Sequence, residues 1–313
     1  MKKLLAVLLA LAVVGGFAFA QGKVSVGLDG TYTLINQDIQ GVAGYNGNTG
    51  ATDLSIAGSD EKGTKGVDLH IGDAAVTAGA FAVDEFDAWF KMFNDVVTLK
   101  FGNWSNCDFE TSGPFKYDFG YLGASNKLEV QVYPVAGLTV YADLAYTKNA
   151  TDLVNILEDT DLYASYAIDK VGKVTAWALL DLVNDSNEFG GAFKFTGVEN
   201  LSATVSVDYA TALNLGVWAS YTVGAFTPKV EFDLVGTAWN AYAYCKYTAN
   251  ANISAAVTGY FDSTNAYFAS ASATYAFGNG VSIGASAKYA DGYDNATKNG
   301  FFWSIPLKFS VAF

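Results

Sequence analysis

From residue 23 onward the chain alternates repeatedly between apolar and polar positions. Val24, Val26, Leu28, Gly30, Tyr32 and Leu34 share one parity, and Lys23, Ser25, Gly27, Asp29, Thr31 and Thr33 the other. A repeat of two sends successive side chains to opposite faces of a strand, whereas a helix repeats about every 3.6 residues. The pattern returns with Leu201, Ala203, Val205, Val207 and Tyr209 against Ser202, Thr204, Ser206 and Asp208. It returns again with Val281, Ile283, Ala285, Ala287 and Tyr289 against Ser282, Gly284, Ser286 and Lys288. A half-buried strand of a soluble sheet gives the same alternation, so the weight lies in how often it recurs. Spacing varies and no motif repeats at a fixed period, which indicates hairpins and excludes a solenoid.

Sixteen strands are expected, near 23–35, 85–93, 96–104, 127–134, 137–147, 161–169, 172–183, 187–196, 200–210, 213–223, 227–236, 239–248, 252–261, 266–277, 280–289 and 301–313. Fourteen to eighteen fit the pattern, and a further hairpin within 67–82 would bring the count to eighteen. Short connections such as Asn94-Asp95, Val135-Ala136, Lys170-Val171 and Gly278-Asn279 follow the even strands, and the long ones, 36–84, 105–126, 148–160 and 290–300, fall in the other phase. An all-β, antiparallel up-and-down barrel with its short turns at one end is the expected architecture.

The first twenty residues read as a secretory signal, leaving 21–313 as one barrel domain. Lys2 and Lys3 precede an apolar run from Leu4 to Val14, and Ala18-Phe19-Ala20 forms an A-x-A cleavage site. Half of the chain is apolar (51%) and 15% is aromatic, yet no later stretch reaches the roughly 18 apolar residues of a membrane helix. In hydrocarbon every backbone N–H and C=O needs an internal partner, so a secreted chain of amphipathic strands must close on itself.

The final strand carries a resemblance. In FFWSIPLKFSVAF, Phe301, Trp303, Ile305, Leu307, Phe309, Val311 and Phe313 alternate with mostly small or polar residues up to an aromatic carboxyl terminus. Together with the signal, this resembles a bacterial outer-membrane β-barrel protein of porin type. The hairpin FDAWFKMFNDVVTLKFGNW at 86–104 is similar to hairpins of such proteins. The resemblance implies an outer-membrane location, lipid around the barrel, and Phe313 as the signal read by the barrel-assembly machinery. It also allows a homotrimer.

With the apolar face turned to lipid, the polar face becomes the lining. The expected pore-lining residues are Asp29, Asp87, Lys91, Lys100, Glu129, Asp143, Asp181, Asp208, Lys229, Glu231, Asp233 and Lys288. Lys23, Lys127, Lys194, Lys246 and Lys308 share that face, so the two signs nearly balance inside. The net charge of −13 then falls on the loops, at positions including Asp38, Asp53, Asp60, Glu61, Asp108, Glu110, Asp262, Asp291 and Asp294. Acid at the outer mouth favours cations. The loop at 105–126 mixes acids with aromatics, and Asp108, Phe109, Glu110, Phe115, Tyr117 and Asp118 are its candidates for narrowing the pore.

Other chemistry finds little material. His70 is the sole histidine and has no neighbouring nucleophile signature, so hydrolytic catalysis is not expected. One imidazole with two distant cysteines, Cys107 and Cys245, makes neither a transition-metal site nor an obvious structural disulfide. Asp291, Asp294 and Asn295 supply calcium-type oxygens but read first as a turn. No nucleotide fingerprint is present, and the acidic balance argues against nucleic acid. The expectation is a non-enzymatic porin without cofactor, passing small hydrophilic solutes with a weak preference for cations. The alternative is a surface or adhesin-type barrel whose outer loops bind a partner.

Overall fold

The computed structural model describes residues 23–37, 43–72, 82–106, 122–145, 159–181, 186–292 and 299–312. These form β1 (Lys23–Gln37), β2 (Ala43–Ser59), β3 (Lys65–Gly72), β4 (Ala82–Met92), β5 (Val97–Asn106) and β6 (Leu122–Val135). There follow β7 (Leu138–Ala145), β8 (Asp159–Ile168), β9 (Gly172–Asp181), β10 (Ser186–Phe195), β11 (Leu201–Tyr209) and β12 (Leu213–Tyr221). The last six are β13 (Phe226–Val235), β14 (Ala238–Thr248), β15 (Ile253–Asp262), β16 (Tyr267–Gly278), β17 (Val281–Asp291) and β18 (Gly300–Ala312). Each strand pairs antiparallel with the next in sequence, and β18 pairs back onto β1 from Gly27↔Ala312 to Gln37↔Trp303. The sheet is closed, with eighteen strands and no free edge.

Eighteen strands stand at the upper end of the expected fourteen to eighteen, and the hairpin that brings the count there is β2–β3 at Ala43–Gly72, beginning ahead of the expected 67–82. The stretch 36–84, taken as one long loop, contains it. Most of β2 is Gly, Asn, Ser and Thr, so its alternation is faint, and only Leu54 and Ile56 mark the apolar parity. Pairing supplies what propensity lacks: Val26 stands opposite Ile56 and Leu28 opposite Leu54, so the apolar parities of β1 and β2 coincide. Adding two strands preserves the even count and the phase of the turns. The connections 60–64, 93–96, 136–137, 169–171, 196–200, 222–225, 249–252 and 279–280 all lie at one end of the barrel. The 60–64 turn is stapled by Asp60, whose carboxylate accepts from the Thr64 amide and hydroxyl at 2.6 Å each. The Thr64 side chain, first among several donors, holds the Asp60 carboxyl below its ordinary value. The staple is thus complete above the ordinary carboxylate range and is lost only as pH falls through that lowered value.

The burial pattern is inverted relative to a water-soluble protein. Val205, Val207, Val230, Phe232, Val257 and Phe101 are exposed, while Glu129, Asp143, Ser206, Asp208 and Asp233 are buried. The apolar parity thus faces outward and the polar parity inward, an arrangement that only a hydrocarbon surrounding makes favourable. Exposed aromatics gather at both ends of the outer wall: Tyr166, Tyr221, Phe226, Tyr247 and Tyr275 by the short turns, and Phe189, Tyr209, Phe261, Tyr267, Tyr289 and Phe301 at the other. On β14 the outward positions run from Trp239 to Tyr247 through Ala241, Ala243 and Cys245. Eight steps of about 3.3 Å, on strands tilted about 40°, give an apolar band roughly 20 Å tall. The barrel is a transmembrane one, with aromatic girdles at the two interfaces.

Facing can be tested one residue at a time on β11. A Lys at Val205, which points outward, should cost roughly 2–4 kcal/mol near mid-membrane, and a Lys at Ser206 should be carried by the polar interior at smaller cost. Urea titrations of the two variants refolded in lipid vesicles should separate them by that margin, and equal midpoints would mean that the register is wrong.

Candidate pore lining

The inward parity is set by pairing from strand to strand, so inner residues form hydrogen-bonded rows. One row runs Gly66, Trp89, Lys100, Glu129, Asp143 and Asp161 across β3 to β8. Another runs Ser206, Gly216, Asp233, Asn240 and Asp262 across β11 to β15. A third runs Trp218, Glu231, Tyr242, Tyr260 and Phe268 across β12 to β16. Because the strands tilt, each row climbs the wall from the short-turn end toward the opposite end.

Three acids in direct register, Glu129, Asp143 and Asp161, would repel one another on a bare wall. Two lysines offset this. The Lys127 ammonium lies 3.4 Å from Asp143 with both side chains buried, and Lys100 lies 3.5 Å from Asp87. The same two ammoniums sit over the buried Trp104 ring, at 4.8 Å and 4.3 Å from its centroid. Gln131 donates to Glu129. On the far wall, Asn214 donates to Asp208 at 2.5 Å, and its own side-chain oxygen accepts from the Gly236 amide at 3.0 Å. Asp262 caps the turn at 263–266, accepting from the Thr264 and Ala266 amides at 2.8 and 3.1 Å and from the Tyr260 hydroxyl at 2.6 Å.

Aromatic side chains fill two sectors of the inner wall. Tyr163 and Trp177 pack with Ala192, Tyr141 and Leu179. Across the barrel wall, Tyr242, Tyr260 and Phe268 pack ring against ring at centroid distances of 4.5 to 6.3 Å, with the Lys288 ammonium 4.4 Å from the Phe268 ring. The Trp177 indole lies flat over Gly190 of β10, where an added Cβ would meet the ring at 2.3 Å, and donates to Glu188 at 3.2 Å. Gly66 receives the Trp89 ring in the same way. Nearer the short turns, a cavity of about 630 Å³ is lined by Thr139, Tyr141, Ser165 and Lys173.

Of the residues singled out in the sequence, Asp87, Glu129, Asp143, Asp208, Glu231 and Asp233 are buried on the inward parity. Lys91, Lys100, Asp181, Lys229 and Lys288 share that parity with partial or full exposure. Asp29 is described by its backbone, opposite Asp53 and Ser310. Asp108, Phe109, Glu110, Phe115, Tyr117, Asp118, Phe313, Asp294, Asn295, Cys107 and the segment 1–20 lie outside the described residues. Cys245 is a free thiol on the outward parity. Among the described residues no group of three or more His, Cys, Asp or Glu could hold a metal ion.

Two expectations about charge are corrected. Asp60 and Glu61 belong to a short turn and not to an outer loop, because the loop assigned to them contains β2 and β3. The inner face is also more acidic than expected. Asp68, Glu85, Asp161 and Glu188 join the inward parity, as does Asp262 at the end of β15, while Lys173 adds one cation. Asp68 was hidden by the loop reading of β3, whereas Glu85 opens the expected strand 85–93 on the parity of Asp87 and was legible there. Asp161 and Glu188 were legible from parity, but the inward aromatics Tyr163 and Trp177 blurred the polar face of β8 and β9.

The inward charges also separate along the barrel axis. Lys91, Lys100, Lys173, Lys194, Lys229 and Lys246 stand within four residues of a short turn, and Lys308 is as near the matching end of β18. Among the described residues only Asp68 joins them as an acid at that level. Six or more residues from the turns stand Glu85, Asp87, Glu129, Asp143, Asp161, Asp181, Glu188, Asp208, Glu231, Asp233 and Asp262, with Lys127 and Lys288 the lysines among them. The turns themselves carry both signs, Asp60, Glu61, Asp95, Asp169 and Glu199 beside Lys62 and Lys170.

No protein-family model matches this sequence, and no curated protein matches it. The fold, however, is shared with solved barrels. OccK10 (OpdN) of Pseudomonas aeruginosa superposes with a TM-score of 0.62 at 9% identity, over 93% of this chain and 99% of that one. OccK9 (OpdG) of the same organism gives 0.61 at 11% identity, over 93% and 98%. The outer membrane protein OpdK, also from P. aeruginosa, gives 0.59 at 11% identity, over 93% and 99%. At such identities the likeness speaks for the barrel alone.

The Trp177–Gly190 contact yields a test of the packed inner wall. Gly190→Ala should force the indole off β10 and lose its bond to Glu188, costing about 1–3 kcal/mol as overpacking. Gly259→Ala, where nothing lies within 4 Å of the new Cβ, should be neutral. Unfolding followed by tryptophan fluorescence compares the two, and an undisturbed Gly190→Ala barrel would show that the indole does not rest there.

Proposed function

We propose that the protein is a porin of the bacterial outer membrane, a water-filled channel for passive diffusion of small hydrophilic solutes that weakly favours cations. The observation that supports it best is the closed eighteen-strand wall with an apolar outside and a charged inside. Barrels of about sixteen to eighteen strands are wide enough to leave an aqueous channel. A charged inner face suits a path for water and ions. The fold shared with an outer membrane protein supports the location.

The cation preference follows from the inward acids. Solvent-exposed charges at a mouth act over about 10 Å at 0.1 M salt, whereas buried charges are screened less. Asp208, Glu231 and Asp233 are buried, so they extend the field into the barrel. Arginine is absent from the chain, so no guanidinium fork is available to grip carboxylates or phosphates bidentately.

Planar-bilayer recordings of the refolded protein decide the reading. Stepwise conductance with a reversal potential on the cation side in a KCl gradient is the expected result. Replacing Glu231 by Gln together with Asp233 by Asn should move that potential toward zero. A barrel that folds and inserts but never conducts would leave the partner-binding alternative, and an anion-selective value would mean that the lysines dominate.

A further inference from the structure

The axial separation of the inward charges has an effect that overall selectivity does not capture. Ions entering from the short-turn end first meet a collar that includes Lys173, Lys194, Lys229 and Lys246. Ions entering from the other end first meet acids such as Asp208 and Asp233. The levels lie about five residues apart on strands rising about 3.3 Å per residue, so tilt leaves roughly 12 Å between them along the axis. That spacing is close to the Debye length of about 10 Å at 0.1 M salt, so each level keeps its own potential. Both levels are built into rigid wall: the same hydrogen-bonded row that begins with Lys173 opposite Lys194 continues through Thr204 and Trp218 to Glu231.

We infer that the lysine collar is a second selectivity element, opposite in sign to the acid-lined interior, and that the two in series make the channel rectify. The inference rests on the channel reading given above. A positive potential at the wide-loop end, opposite the short turns, drives cations through the acid zone and anions through the collar, and both accumulate where the zones meet. The reverse potential draws both away and depletes the junction. Current should therefore be larger when the wide-loop side is positive. Both zones must be present for this to happen. Acids alone, or lysines alone at one rim, would tune selectivity and leave no depletion zone between opposite signs.

Single-channel current–voltage curves test this, with a biotinylation tag placed in the 222–225 turn and streptavidin added to one chamber to report orientation. The wild type should pass about twofold or more current at positive than at negative wide-loop potential in about 0.1 M KCl, and should become symmetric near 1 M, where the Debye length is about 3 Å. A variant carrying Lys194→Ala, Lys229→Ala and Lys246→Ala should conduct with the asymmetry largely removed and the cation preference raised. Lys194 and Lys246 are exposed and Lys229 half-buried, so truncation leaves the wall intact. A second variant, Lys173→Glu with Lys194→Glu, should lose the asymmetry as well. Conducting wild-type channels with symmetric curves at low salt would overturn the inference, as would asymmetry that survives the triple variant. Absence of any conductance would instead overturn the channel reading itself.

Discussion

Closure of the backbone ladder is the constraint on which everything else in this protein depends. A strand in hydrocarbon cannot leave its N–H and C=O groups unpaired, because each would cost several kcal/mol by order of magnitude. The pairing of β18 with β1 removes the last two edges. Once the sheet is closed, each strand has one inside and one outside, and a period of two becomes a rule about solvent. The apolar parity can then be exposed without penalty, and the polar parity must find its partners within.

That inversion explains the inner wall. Charges such as Asp143 and Lys127 are almost free of solvent, and a pair that deep stabilises little unless both partners remain. Registered acids impose a cost that a soluble core would avoid by using aliphatic side chains. Here aliphatic side chains are already committed to the outside, and the inside is left to polar groups that satisfy one another. Trp104 between two ammoniums, Trp177 on Gly190, and Tyr242 with Tyr260 are the same solution in aromatic form: flat rings that pack beside charge.

Much of the fold was legible because the alternation is local. Val205 and Ser206 declare their faces with no knowledge of β10 or β12, and the short turns declare the phase. The hairpin β2–β3 was misplaced because Gly, Asn, Ser and Thr carry no strong parity, and that segment takes its register from pairing with β1. The charge inventory suffered for the same reason. A residue cannot be assigned to the inner face before its strand is recognised, so Asp68 went uncounted and the interior seemed balanced.

Axial position was the property furthest from reach, although it needs no side-chain detail. Parity says which way a residue points, and distance from a short turn says how high it stands. Only the combination shows that Lys194 and Lys229 stand near one rim while Asp208 and Asp233 stand deeper. Hydrogen-bonded rows climb a tilted wall, so neighbours across strands change height steadily, and a row that begins in lysine can end in acid. The segregation is therefore axial and not merely a matter of two sides facing one another. A charge pattern of this kind costs no more backbone than a uniform one, because the same polar parity accepts either sign. What it requires is that the sign correlate with distance from the turn, strand after strand, and in this chain it does so from β4 to β14 with few exceptions.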